Sequence, residues 1–145
     1  MVRSAGQTPR SFDRSRRVRK RSEFQRIQSS SKRVTTRHFI LLVAVQEAAA
    51  PARLGLVVSR RIGGAVARNR VKRLCRECFR LSRALLPSGV DLVIIARQGS
   101  ESMKLHEVQA EWSGAGTSLR RRASEALAER HEQPHASAVT PKPAR

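Results

Sequence analysis

The run Arg68-Asn69-Arg70-Val71-Lys72-Arg73-Leu74-Cys75-Arg76-Glu77-Cys78-Phe79-Arg80 packs six cations, one amide and a single acid into thirteen residues. Guanidinium groups stay charged at any physiological pH, and their planar fork of donors matches phosphate oxygens, so the chemistry on offer is anion binding rather than proton transfer. Projected as a helix at about 100° per residue, Val71, Leu74, Cys75, Cys78, Ser82 and Leu85 fall within about 60° of Val71 and form an apolar stripe. Asn69, Arg73, Arg76 and Arg80 lie on the opposite side, with Lys72 and Arg83 beside them. Like charges three and four residues apart destabilise a helix, so this face needs an anionic ligand to compensate. Glu77, within reach of both Arg73 and Arg80, reads as the residue that orients them.

Other chemistries find less support. Cys75 and Cys78 have the Cys-x-x-Cys spacing of redox and zinc sites, but zinc needs two more ligands and a redox pair belongs at a helix start. Both lie on the apolar stripe and read as core. Gly63-Gly64 precedes the helix where an anion could approach its N-terminus, yet no Walker sequence follows and a plain turn is the better reading. Between residues 38 and 100 the acids are Glu47, Glu77 and Asp91, and the four histidines, His38, His106, His131 and His135, are scattered. No general acid and base pair, nucleophile or metal-ligand set is expected.

The whole chain supports a polyanion partner. Its 145 residues carry 30 Lys and Arg against 11 Asp and Glu, a net charge of +19, which repels itself unless a ligand neutralises it. Residues 1–37 contribute +10 and residues 38–100 +8, but residues 101–145 only +1, so the C-terminal third is not a main binding surface. The longest apolar run, Phe39–Val45, is far short of the roughly 20 residues that span a bilayer, and the N-terminus lacks the apolar core of a secretory signal. The expectation is a cytoplasmic protein with reduced cysteines and no membrane partner.

Positioning the basic face requires a fold. Residues 1–20 combine Arg, Lys, Ser, Gly and Pro with little that is apolar, and read as a disordered basic arm. Residues 131–145 hold three prolines and read as a disordered tail. That leaves one domain over residues 21–130. Ser22 looks like the N-cap of a short helix through Phe24 and Ile27. Strands are expected over 39–45, 54–59 and 90–96, with a shorter one near Val34. The basic helix is expected over 65–86, and a last helix from near 102 to near 129, which Gly114 and Gly116 could break. The pattern is an α+β sandwich with helices on one sheet.

The run from Arg60-Arg61-Ile62-Gly63-Gly64 through Phe79-Arg80 closely resembles the bacterial ribonuclease P protein family, whose signature places Arg-Asn-Arg, Lys-Arg, Arg-Glu and Phe-Arg on one helix. The resemblance extends upstream through residues 54–59 to Phe12 and downstream through residues 91–97, covering roughly 12–112. It implies an α-β-β-β-α-β-α sandwich similar to a ribosomal-protein domain, with a left-handed crossover where general topology rules favour the right-handed one. It further implies a protein subunit of an endoribonuclease that matures the 5′ end of tRNA, with the chemistry and the Mg²⁺ carried by a catalytic RNA, no cofactor bound by the protein alone, and no stable protein partner. Arg60, Arg61, Arg68, Asn69, Arg70, Lys72, Arg73, Arg76 and Arg80 would contact that RNA. A cleft between helix and sheet would hold the single-stranded 5′ leader of precursor tRNA. There Phe24 matches a cleft aromatic and Leu42 occupies a cleft position, while Gln28 and Leu42 stand where relatives often carry aromatics and Ser31 where a glycine is usual. Phe39, Phe79 and Trp112 read as core. A ribosomal or general basic RNA-binding protein, or an architectural DNA-binding protein, would share the charge but gives no reason for this order of residues.

Overall fold

In the strand Phe39–Val45 (β2) the odd-numbered side chains face one layer and the even-numbered ones the other, and both sets are largely buried. A strand buried on both faces needs cover on both sides, and the chain supplies it. The computed structural model describes residues 17–30, 32–46, 50–82 and 85–132. Their order is α1 (Arg21–Ser30), β1 (Lys32–Thr35), β2, β3 (Arg53–Val57), α2 (Ala65–Leu81), β4 (Val90–Ala96), α3 (Leu105–Gly114) and α4 (Gly116–Glu132), with 3₁₀ turns at Arg60–Ile62 and Ser100–Ser102. The sheet order is β1-β2-β4-β3: β2 runs antiparallel to β1 and β4, and β3 runs parallel to β4 with α2 as the crossover.

The expected α+β sandwich is therefore present, but with helices on both sheet faces. On one face α4 lies over β1 and β2, and α2 over β3. Phe39, Leu41, Val43, Leu92 and Ile94 meet Val71, Cys75, Cys78, Phe79, Val108, Trp112 and Leu119 there. Phe39 and Trp112 stack edge to face with centroids 5.9 Å apart at 85°. On the other face, among the described residues, α1 packs through Ile27, joined by Val18 just before it, against Leu42, Ala44 and Val93.

Several boundaries move. The basic helix ends at Leu81, not 86: Ser82 leaves helical geometry and donates its N–H to Phe79. Leu86 precedes Pro87, which disfavours helical backbone, so Leu85 and Leu86 reach the core from the turn leading into β4. The strand expected over 54–59 stops at Val57, because Ser59 accepts from the Arg61 N–H and starts a 3₁₀ turn. The last helix is broken between Gly114 and Gly116. The first helix starts at Arg21, with the Glu23 and Phe24 N–H groups on the Lys20 carbonyl, so Ser22 is not its N-cap. The expected arm boundary at residue 20 falls too late, since Arg17 bridges to Leu54, and Val18 is buried with its N–H 2.9 Å from the Leu54 carbonyl. The tail boundary at 131 also shifts, as α4 continues to Glu132. The remainder of the expected arm and tail, Ser31, Glu47 and Arg83 lie outside the described residues.

Asp91, wholly buried at the start of the central strand β4, holds α1 to the sheet. Its carboxylate accepts from Arg53 Nε and Nη2 at 2.9 and 2.8 Å, from Arg26 Nη2 at 3.2 Å and from Gln46 Nε2 at 3.0 Å. Arg53 also reaches Glu23 on α1 at 3.1 Å. The hydrogen bonds to Asp91 hold the Arg53 guanidinium above its already high range. Removing one partner of a buried ion pair strands the other. Asp91→Ala should therefore cost about 3 kcal/mol, the lower end of the buried-pair range because Arg26 and Arg53 keep some solvent contact. Glu129→Gln, which breaks an exposed pair with Lys32, should cost less than about 1 kcal/mol. Denaturant titrations of both variants check the contrast.

A second polar cluster ties the β1–β2 turn to α3. Glu111 accepts from Thr36 Oγ1, from the His38 N–H at 2.7 Å, and pairs with His38 Nδ1 at 2.7 Å. Burial pushes its carboxyl up, but these hydrogen bonds outweigh that and hold it below the usual range. A carboxyl depressed in the folded state stabilises above its unfolded value and loses that contribution as pH falls through the folded one. Glu111→Gln should thus be less stable than the parent at neutral pH, with the gap closing as pH drops below about 4.3. Melting temperatures measured from pH 7 to pH 3 test this, and a gap independent of pH would refute it.

Candidate nucleic-acid interface

α2 divides its circumference cleanly. Val71, Cys75, Cys78 and Phe79 are buried, Leu74 is half-buried, and burial pushes the Cys78 thiol up to about 12 and that of Cys75 higher still. Buried and protonated, such thiols are poor nucleophiles at neutral pH, in accord with the core reading. The opposite face carries Asn69 and Arg73, both exposed, with half-buried Lys72, Arg76 and Arg80. Glu77 pairs with Arg80, which holds the Glu77 carboxyl below its ordinary range; the expected ion pair of Glu77 with Arg73 is not among its described bonds.

The remaining cations flank that face. Arg60 and Arg61 are exposed on the 3₁₀ turn before α2. Arg68 turns back to donate Nε to the Gly63 carbonyl at 3.2 Å, and Arg70 donates Nη1 to the Glu101 carbonyl at 2.8 Å. Gly63 has φ +148° and a Cβ there would lie 2.9 Å from that of Ala67, so the glycine is explained by the turn it makes. Arg76 is half-buried, and burial first, then the nearby Arg17 charge, lowers its affinity for its own proton. Arg17 thus belongs to this surface, although composition alone consigns it to the arm. An anion between the two guanidiniums would relieve their repulsion.

The sheet face under α1 presents a different surface. Strand register sets out rows across it: Leu42, Val93 and Gly55 form one, and Ile40, Ile95 and Val57 the next. α1 buries the first row and leaves the second half-exposed. Leu42, expected in the leader cleft, is only 3 % exposed and is core beneath α1; its row is covered because Ile27 and Phe24 pack there. Phe24 is half-buried against Gly55, where a Cβ would come within 2.9 Å of the ring. Gln28 is exposed on α1. The open row is aliphatic, and the sheet end beside it gathers exposed Arg37, Arg97, Arg60 and Arg61, with exposed Arg33 on β1. Arg97 is pinned by an Nη1 hydrogen bond of 2.8 Å to the Thr36 carbonyl. Sequence reasoning misses Arg33, Arg37 and Arg97, and only the pairing of Arg33 with Leu42 in adjacent strands reveals the first as a rim residue.

No group of three or more His, Cys, Asp or Glu among the described residues could hold a metal ion. Asp91, Glu23, Glu77 and Glu111 are each committed to a cation or hydrogen-bond donor. No described helix is long and apolar enough to cross a membrane.

Comparison with known proteins agrees with this geometry. The sequence pattern of the Ribonuclease P family matches residues 12–130. The ribonuclease P protein component of Brevibacillus brevis is 44% identical over 96 residues, 66% of this chain and 76% of that one. That of Syntrophus aciditrophicus is 43% identical over 95 residues, 66% and 79% of the two chains. Among solved structures, the RNase P protein of Staphylococcus aureus superposes with a TM-score of 0.62 at 31% identity, covering 68% of this chain and 90% of that one. The protein from Thermotoga maritima does so with a TM-score of 0.63 at 30% identity, covering 72% and 96%. A basic helix seated on a four-stranded sheet, matched in sequence over most of its length and in fold over most of its relatives, places this chain in the ribonuclease P protein family.

Proposed function

We propose that the chain acts as the protein subunit of a ribonucleoprotein endonuclease: it binds the catalytic RNA of ribonuclease P through α2 and its flanks, and holds the 5′ leader of precursor tRNA across the open end of the sheet. The observation that carries this reading is the division of α2 into a buried apolar stripe and an opposite cationic face of exposed and half-buried side chains, on a chain that belongs to this family. Phosphates meeting Lys72, Arg73, Arg76, Arg80 and Arg17 remove like-charge repulsion that the free protein bears. Arg60, Arg61, Arg68, Asn69 and Arg70 extend the same surface around the helix start.

The protein's own groups position RNA. Among the described residues, Asp91, Glu23 and Glu77 are bound to arginines and Glu111 to Thr36 and His38, so none of these four stands ready as a general base. The reading therefore assigns the Mg²⁺ ions and the attacking water to the RNA, with closer packing of RNA around those ions as the protein's contribution. The leader lies over Ile40, Ile95 and Val57, with Phe24 as the aromatic at its edge and Arg33, Arg37 and Arg97 along its backbone. Such a floor contacts bases without a stacking platform, so leader binding leans on charge and on the one ring. The cytoplasm, where precursor tRNA is processed, is the proposed location.

Two outcomes test this reading. RNA-free protein should not cleave precursor tRNA, and adding it to ribonuclease P RNA at low Mg²⁺ should restore cleavage. In the same assay Arg76→Ala should weaken RNA binding and reduce its salt dependence by about one phosphate contact. Cleavage by the RNA-free protein, or an unchanged salt slope, would refute the assignment. Phe24→Ala should weaken holoenzyme binding of precursor tRNA about five- to hundredfold, as for loss of one stacked base, while mature tRNA binding stays level. Equal losses on both tRNAs, with a lowered melting temperature, would make Phe24 a packing residue only.

A further inference from the structure

The acid on α2 is not explained by phosphate binding. Glu77 is the single carboxylate among the seventeen residues of that helix, and a negative charge on a phosphate-binding face repels the ligand. Its carboxylate accepts from Arg80 Nε at 3.2 Å and from a second Arg80 nitrogen, yet its side chain stays 40% exposed. A carboxylate has about four lone-pair positions, so each oxygen can still accept from outside. The pair with Arg80 also keeps it ionised.

Glu77 faces a groove between α2 and α3 of about 370 Å³, lined by Arg70, Arg73, Leu74, Glu77 and Leu105. That volume falls in the range of small-molecule sites, about 300 to 1,000 Å³. Leu74 and Leu105 are half-buried and packed on the main core, which makes the apolar wall rigid. Arg70 is fixed by its bond to the Glu101 carbonyl, and Arg73 is exposed at the mouth.

An apolar wall, two guanidinium groups and one ionised acceptor together match a nucleotide. A bare phosphate would use the arginines, leave the leucines unoccupied and be repelled by Glu77. An acidic peptide segment would meet the same repulsion. Unpaired RNA bases are recognised by contact with their faces and by hydrogen bonds to their Watson–Crick edges. Among the four bases only guanine offers two adjacent donors there, N1–H and the N2 amine, which match the two oxygens of a carboxylate. We propose that the α2–α3 groove takes one unpaired guanine nucleotide of the RNA that α2 binds, with its base against Leu74 and Leu105, its phosphate on Arg70 and Arg73, and its edge read by Glu77. This inference rests on the RNA-binding reading above.

The test titrates the full-length, methyl-labelled protein with GMP, AMP, CMP, UMP and inorganic phosphate, following the Leu74 and Leu105 methyl signals by NMR. GMP should shift both methyls and bind about five- to a hundredfold more tightly than AMP, the value of one bidentate base contact. Glu77→Gln should abolish that preference and, with the repelling charge gone, strengthen the weak response to phosphate. Arg80→Met, which removes the ion pair but keeps the carboxylate, should retain it. Methyls that ignore GMP, or that respond equally to phosphate alone, overturn the proposal, and loss of preference in both variants assigns Glu77 to positioning Arg80 and overturns it as well. Salt-dependent binding of ribonuclease P RNA, measured on the same samples, separates the two failures. A protein that binds this RNA but not GMP loses the guanine pocket alone, whereas one that binds neither loses the wider reading.

Discussion

The buried carboxylate of Asp91 is the interaction on which both proposed binding surfaces depend. It sits at the head of the central strand and draws in Arg26 from α1, Arg53 from β3 and Gln46 from the end of β2. Burying a charge is costly unless its hydrogen-bonding capacity is met, and here it accepts four bonds. Those bonds fix where α1 crosses the sheet. The crossing covers the Leu42 row and leaves the Ile40 row open, so a salt bridge at one end of the sheet determines the exposed floor at the other. The same docking brings Val18 into the core and Arg17 alongside β3, close enough for its charge to act on Arg76.

The second constraint is how a strongly cationic chain folds before its ligand arrives. The cations of α2 are kept out of the interior: the helix buries two thiols, a valine and a phenylalanine and turns its cations outward. The acids in turn quench selected cations, Glu23 and Asp91 at Arg53 and Glu77 at Arg80. Asn69, Arg73, Arg60 and Arg61 stay exposed. Repulsion among such groups is tolerable because water screens exposed charges, and it makes phosphate binding more favourable by the amount it relieves.

Few aromatic residues serve this surface. Phe39, Phe79 and Trp112 are all core, which leaves Phe24 as the described ring at the open sheet face, and even it leans on the bare backbone of Gly55. A side chain at position 55 would push the ring away, so the glycine and the phenylalanine work as a pair. If the leader lies here as proposed, its selectivity comes from shape and charge more than from stacking.

Much of this protein is legible in its sequence. Helical periodicity, read over residues 65–86 and so five residues too far, separates the buried stripe from the cationic face, because the 3.6-residue repeat needs no knowledge of the partner. Likewise the apolar runs at Phe39–Val45 and Val90–Ala96 announce strands, and the run from Arg60 to Arg80 announces the family. Tertiary structure alone decided the rest. Leu42 and Ile40 are both aliphatic residues of one strand, and only the crossing of α1 makes one core and the other surface. Arg17 reads as part of a disordered arm until the backbone of Leu54 offers it a partner, and Asp91 reads as an isolated acid until Arg26 and Arg53, 65 and 38 residues away, arrive beside it. Local patterns record which face of an element is apolar, but contacts between residues distant in the chain are set by packing, and those contacts choose which surface stays open.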